Sequence, residues 1–236
     1  MMQDWSPDAM RFMRDAASRS DYHERLAAHI APHLPPDADV CDAGCGMGDL
    51  ALALAPHCKT VTAVDRASAP IEALRARPLP HNLRTSCTDI FTLEQRFDAM
   101  VFCYFGRMQE ILTVSARLCR KTVVVVKRRE RTRLFSVRPT PTEHRVAEQA
   151  EIFLRERGIP FQSECLALEL GQPFRSVEEA ERFFALYNRA DAPISRAELL
   201  RRLQPRDDAE FPYYLPALRQ MELLVLDAGS IREGSR

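Results

Sequence analysis

Val40-Cys41-Asp42-Ala43-Gly44-Cys45-Gly46-Met47-Gly48 is the stretch that decides how this chain folds. Glycine is scarce, eight in 236 residues, about half the usual share of roughly 7%. Three of the eight fall within five residues. A bend that concentrates a rare residue needs positions without side chains. Glycine supplies dihedrals closed to other residues and lets another group approach the main chain.

The flanks say what the bend connects. Pro35-Pro36 breaks the chain, and the apolar run Ala38 to Cys41 follows. After the glycines come Asp49-Leu50-Ala51-Leu52-Ala53-Leu54-Ala55 and then Pro56. Leu50 and Leu54 lie four apart among alanines, which predicts a helix. The glycines therefore join a strand to a helix, whose first turn offers unpaired N–H groups and a partial positive charge. A second strand, Thr60 to Val64, ends on Asp65, 17 residues past Gly48. A carboxylate near that distance is placed for a ribose hydroxyl pair.

Asp42-Ala43-Gly44-Cys45-Gly46-Met47-Gly48 resembles the acidic-x-Gly-x-Gly-x-Gly signature of class I S-adenosylmethionine-dependent methyltransferases. The likeness runs from about Asp37 to Val126 and more loosely to the end. It implies a Rossmann-like α/β fold: a seven-stranded, mostly parallel sheet with helices on both faces, an N-terminal helical cap and a late helical insertion. It implies S-adenosyl-L-methionine as cofactor. Gly44, Gly46 and Gly48 would lie against the methionine part, and Asp42 would meet its amino group. Asp65 would hold the ribose. Asp89, in Thr88-Asp89-Ile90 after the third strand, would meet the adenine, its other reading being a surface residue or a cap.

The rival for a glycine turn is a dinucleotide fold with Gly-x-Gly-x-x-Gly. Here the third glycine comes one residue early, and Asp49 follows it. A carboxylate there opposes a pyrophosphate at the helix start more than it opposes a zwitterionic amino acid.

Composition sets outer limits. Lys plus Arg and Asp plus Glu both number 33, so the formal charge is zero, which counts against a binder of duplex nucleic acid. No apolar run reaches the roughly 20 residues of a membrane span, and the amino end has neither a basic start nor an apolar signal core. These features predict a cytoplasmic chain. Seven cysteines without a Cys-x-x-Cys predict free thiols and no zinc site.

Two domains are expected: a helical cap over residues 1–36, and a methyltransferase domain over 37–236 with a helical insertion at about 176–215. In the cap, Ser6-Pro7-Asp8 opens one helix. Ser20 opens another, with Leu26, Ile30 and Leu34 at intervals of four. In the domain, Phe97 to Tyr104 and the β-branched run Thr122 to Val126 read as buried strands. Thr140 with Glu143, Ser176 with Glu179, and Ser195 with Glu198 have capping-box spacing. Gly158 stops a helix. Cys165 to Leu168 predicts a sixth strand and Glu222 to Asp227 a seventh, which the resemblance places antiparallel beside the fifth and sixth.

Methyl transfer is a displacement that positioning can drive without a dedicated base, and the sequence shows no catalytic dyad. The acceptor should lie beyond the carboxyl ends of strands four and five, at Cys103-Tyr104-Phe105-Gly106 and Lys127-Arg128-Arg129. Tyr104 or Phe105 can face the sulfonium. Lys127 to Arg138 holds six basic residues and one acid, either an anion site or a solvated loop. Tyr22, His23, Tyr213 and Tyr214 are lid candidates, or members of a satellite core. The resembled family often carries Asn-Pro-Pro-Tyr after the fourth strand when the target is a base or amide nitrogen; this chain has Cys103-Tyr104-Phe105-Gly106 there, which counts against methylation of exocyclic amines of DNA. The reading is a methyltransferase for a small-molecule acceptor. The alternatives are an RNA or protein methyltransferase, a non-catalytic S-adenosylmethionine-binding protein, and a nicotinamide oxidoreductase.

Overall fold

The structure is a computed structural model that describes residues 5–129, 135, 146–187 and 193–233. In chain order it opens with helices α1 (Pro7–Ser18) and α2 (Tyr22–Ile30), then β1 (Asp39–Ala43), α3 (Asp49–Leu54), β2 (Thr60–Asp65), α4 (Ser68–Arg75) and β3 (Leu83–Cys87). There follow β4 (Phe97–Cys103), α5 (Met108–Leu118), β5 (Cys119–Arg128), α6 (Val146–Glu156) and β6 (Phe161–Glu169). The last stretch holds β7 (Gln172–Phe174), α7 (Val177–Tyr187), α8 (Arg196–Arg202), β8 (Gln204–Pro205), β9 (Tyr213–Leu215), β10 (Leu218–Asp227) and α9 (Ala228–Glu233).

Seven strands form one sheet in the order β3-β2-β1-β4-β5-β10-β6. The pairs β2–β3, β1–β2, β1–β4 and β4–β5 are parallel. Strand β10 runs antiparallel to β5, with Glu222 opposite Lys127 and Leu224 opposite Val125. This is the Rossmann-like architecture that the family resemblance implied, including the antiparallel seventh strand. The order reverses at β1, which is where open α/β sheets bind ligands.

The chain divides into two compact units. The larger comprises residues 23–129, 146–166 and 221–236 and contains most of the sheet. Its core joins Cys41 and Ala43 of β1, Met100 and Phe102 of β4, and Val123 and Val125 of β5 to Ile111, Leu112 and Leu118 of α5 and Leu154 of α6. The run Val123 to Val126 is fully buried, as a strand covered on both faces must be. Helix α6 ends where Gly158 takes φ +64°. There the Ile159 amide reaches back to the Leu154 carbonyl at 3.0 Å, and the left-handed residue satisfies a carbonyl that the helix end would otherwise orphan.

The smaller unit takes in the described parts of 1–22, 130–145 and 167–220. Its core is aromatic: Phe12 of α1, Phe174 of β7 and Phe183 and Phe184 of α7 are buried together. Phe12 meets Phe183 edge-on at 5.0 Å, a favoured ring geometry. Around that core, Arg175 holds Asp15 through both guanidinium nitrogens, at 2.6 and 3.1 Å. Helices α7 and α8 occupy the segment predicted as helical. Ser176 Oγ accepts from the Glu179 amide and Ser195 Oγ from the Glu198 amide, each at 3.2 Å. A three-stranded antiparallel sheet, β7-β9-β8, accompanies them. The end of the predicted helical insertion is not helical: Tyr213–Leu215 forms β9 of that sheet. Thr140 and Glu143 lie outside the described residues.

Candidate cofactor and acceptor site

The glycine bend follows β1 directly. Gly44, Gly46 and Gly48 adopt φ of +75°, +55° and +76°, the left-handed region that costs a side chain about 1 kcal/mol or more. A Cβ on Gly44 would press into the Phe105 ring, and one on Gly48 into Leu74 of α4. So two of the three glycines make room for side chains of the protein itself. Gly48 caps α3, and the Leu52 amide bonds its carbonyl at 2.9 Å.

Asp65 ends β2 and faces the bend. Its Oδ2 accepts from the Gly46 amide at 2.9 Å, and its Oδ1 from the Ala67 amide at 2.9 Å. Each carboxylate oxygen has a second lone pair, so the group can still accept from a pair of hydroxyls.

Asp42 is 1% exposed, and its Oδ2 has no hydrogen-bond partner in the structure. Burial, then the Asp65 charge, raises its pKa to about 7, against the pull of a hydrogen bond from the Ala51 backbone. An unpaired buried carboxylate oxygen is expensive. A cationic group seated beside it would remove that cost.

Asp49, at the first turn of α3, pairs with Arg77 through Nη1 at 2.6 Å, and the same nitrogen lies 3.5 Å from the Met47 carbonyl. Its negative charge is therefore balanced, which weakens the sequence argument that Asp49 alone repels a pyrophosphate. His23 lies in the field of this pair. Burial lowers its pKa, while Asp49 and Glu24 raise it. Asp89 follows β3 and caps its own turn, Oδ1 accepting from the Phe91 amide at 3.0 Å.

The loop after β4 forms the next wall. Tyr104 takes φ +54°, a strained setting for an aromatic residue. Arg128 stacks over its ring at 4.8 Å, and its hydroxyl lies 3.6 Å from Met221 Sδ. Phe105 is half-buried beside Phe102, ring centroids 5.6 Å apart. Lys127 is 5% exposed, and its Nζ donates to the carbonyls of Phe105 and Gly106 at 2.6 and 2.7 Å. Burial lowers its pKa to about 8, with Cys103 and Glu110 acting the other way. The Glu110 carboxylate accepts from the Arg107 amide at 2.7 Å, which fixes the far end of the loop at α5.

The remaining sequence candidates lie in the smaller unit. Tyr22 is buried, and its amide donates to Ser20 Oγ at 3.1 Å. Tyr214 donates through its hydroxyl to Glu169 at 2.8 Å and accepts there from the Gly171 amide at 3.1 Å. Burial, then Glu169, raises its pKa to about 12. Tyr213 stands half-buried on β9.

Sequence reasoning missed Arg77, whose partner is 28 residues away, and Leu74, the reason for Gly48. No local pattern marks either. Among the described residues no cluster of three or more His, Cys, Asp or Glu could hold a metal ion, and no helix is long and apolar enough to cross a membrane.

Residues 40–126 match a family model described as a methyltransferase domain. In fold, the chain is similar to precorrin 8w decarboxylase of Methanobacterium thermoautotrophicum, at 16% identity and a TM-score of 0.51, over 86% of this chain and 88% of that one. It is likewise similar to the YcgJ protein of Bacillus subtilis, at 15% identity and a TM-score of 0.51, over 86% and 97%. No curated protein sequence matches. The matched segment runs from β1, through the glycine bend, to the end of the buried valine run of β5.

Proposed function

We propose that this chain is an S-adenosylmethionine-dependent methyltransferase acting on a small-molecule acceptor, and that Asp42, Gly44, Gly46, Gly48, Asp65 and Asp89 hold its cofactor. The orphaned Oδ2 of Asp42, buried beside the glycine bend, carries the cofactor assignment. A buried carboxylate with one oxygen left unpaired fits the ammonium end of S-adenosylmethionine. Asp65, aimed at the same bend, fits the ribose diol. Asp89, on the turn after β3, fits the adenine edge.

The bound cofactor supplies an electrophilic methyl group on a sulfonium. The chain's own residues orient and desolvate. Asp42 fixes the amino-acid end by charge, and the bend with Asp65 fixes the nucleoside end. Tyr104 and Phe105 present aromatic surface at the carboxyl end of β4, where a cation is attracted to a ring face. No proton acceptor is required when alignment lowers the barrier, which it can do by about 7–11 kcal/mol.

Three observations favour a small acceptor over a polymer. The chain has no net charge. Lys127, a potential anion ligand, is committed to backbone carbonyls. Arg128 lies on the Tyr104 ring, leaving a compact aromatic and cationic rim.

Two experiments test this. Calorimetry with S-adenosylhomocysteine and, in parallel, with a nicotinamide dinucleotide is expected to show binding of the first alone. Transfer of labelled methyl from S-adenosylmethionine into a fractionated cell extract is expected to mark the small-metabolite fraction. Label confined to RNA or protein would overturn the acceptor assignment and leave the cofactor assignment standing.

A further inference from the structure

We infer that Lys127 is a positioning residue of the cofactor site, a buried latch that sets the loop after β4 against the glycine bend. The inference rests on the cofactor reading above.

Lys127 lies on β5, next to the β4 strand that the loop leaves. Its ammonium is buried and reaches two successive carbonyls of that loop, Phe105 and Gly106. A charge withdrawn from water needs such acceptors to remain charged. Both ends of the bonded segment are left-handed, Tyr104 at φ +54° and Gly106 at φ +48°. That backbone would relax if nothing restrained it.

What the latch holds is Phe105. Its ring stands on Gly44, so close that a single added methyl at Gly44 would come within 3.0 Å of it. It also packs on Phe102 and joins the edge of the main core. The ring is thus a wall of the crevice at the first glycine, two residues from Asp42. In the cofactor reading this is the amino-acid end. Releasing the loop should therefore weaken ligands that carry an amino acid and spare those that lack one.

The test compares wild type, Lys127→Met, Phe105→Ala and the double variant. Calorimetry is run with S-adenosylhomocysteine and with 5′-methylthioadenosine, and hydrogen exchange is followed over residues 103–110. Lys127→Met is expected to lose about tenfold in affinity for S-adenosylhomocysteine, within the usual coupling of contacting residues. Its affinity for 5′-methylthioadenosine should change by less than about twofold. Exchange in the loop should rise by about tenfold or more. Phe105→Ala should reproduce the ligand-selective loss, and the double variant should add nothing to it, because one residue acts through the other. Should Lys127→Met not fold, Lys127→Gln, which keeps a donor, is expected to show a smaller loss of the same selectivity.

The latch is overturned if wild type binds S-adenosylhomocysteine and the Lys127 variants bind it equally well. Equal loss of both ligands, or strictly additive losses in the double variant, also overturns it. If wild type itself fails to bind S-adenosylhomocysteine, the cofactor reading falls first and takes the latch with it.

Discussion

The Gly46 amide donates to Asp65 Oδ2 at 2.9 Å, so the bend after β1 and the end of β2 are one hydrogen-bonded unit. This contact turns two separate sequence signals, a cluster of glycines and a carboxylate 17 residues later, into a single recess. Asp65→Ala removes the proposed ribose acceptor and leaves the Gly46 and Ala67 amides without a carboxylate. Hydrogen bonds to charged groups contribute about 1.5–3 kcal/mol, so S-adenosylhomocysteine should bind at least about tenfold more weakly by calorimetry. Stability should fall by about 1–3 kcal/mol, since Gly46 is buried and its amide would lose its acceptor. Unchanged affinity would remove Asp65 from the site.

Gly44 and Gly158 have similar left-handed backbones but different surroundings. A Cβ at Gly44 meets the Phe105 ring, whereas one at Gly158 meets nothing within 4 Å. Gly158→Ala should therefore cost only the backbone penalty, about 1 kcal/mol. Gly44→Ala should cost about 2–4 kcal/mol, because overpacking adds to that penalty. Urea unfolding measures both. Combining Gly44→Ala with Phe105→Ala should recover the overpacking part and leave the backbone part. Equal costs for the two single variants would contradict the packing account.

Tyr214 and Tyr213 are neighbours in sequence with different roles on β9. The Tyr214 hydroxyl bridges Glu169 and the Gly171 amide, while Tyr213 stands half-buried on the same strand. Tyr214→Phe leaves a buried N–H without an acceptor and should cost about 1–3 kcal/mol. Tyr213→Phe should stay within about 0.5 kcal/mol. Thermal unfolding of the two variants separates them, and a larger effect at Tyr213 would refute the assignment.

The sheet was legible because its signals are local and redundant. The four valines of β5 read as a doubly covered strand, and the glycine bend marked the first crossover. Gly158 and the Ser176 and Ser195 caps sit where their spacing placed them. The small sheet was not legible. Strands β7, β8 and β9 have only two or three residues each, too few for alternation to register. Prolines at 173, 205 and 212 read as loop. Lys127 illustrates a different limit. A lysine after an apolar strand looks the same whether it meets a ligand or a carbonyl, and only the turn at Phe105 and Gly106 decides which. Arg77 likewise neutralises Asp49 from a distance along the chain that no local motif spans.

Asp42 makes the site sensitive to pH. Its pKa lies near 3.8 when exposed and rises to about 7 in the fold, because burial and then the Asp65 charge oppose ionisation. Between these values the folded chain holds a proton that the unfolded chain has released. Stability from this group therefore falls as pH rises through that window and levels off above about 7. From pH 5 to pH 7 the decline should be about 2 kcal/mol. It should be absent from Asp42→Asn, so urea unfolding of the two proteins should give profiles that draw apart as pH rises across that range. Cofactor binding should run the other way. An ammonium beside Oδ2 favours the ionised carboxylate, so binding at pH 6 should expel a proton. The heat of binding S-adenosylhomocysteine at pH 6 should then depend on the ionisation enthalpy of the buffer in wild type and not in Asp42→Asn. Parallel stability profiles together with buffer-independent heats would show that Asp42 is ionised throughout and does not face the amino group.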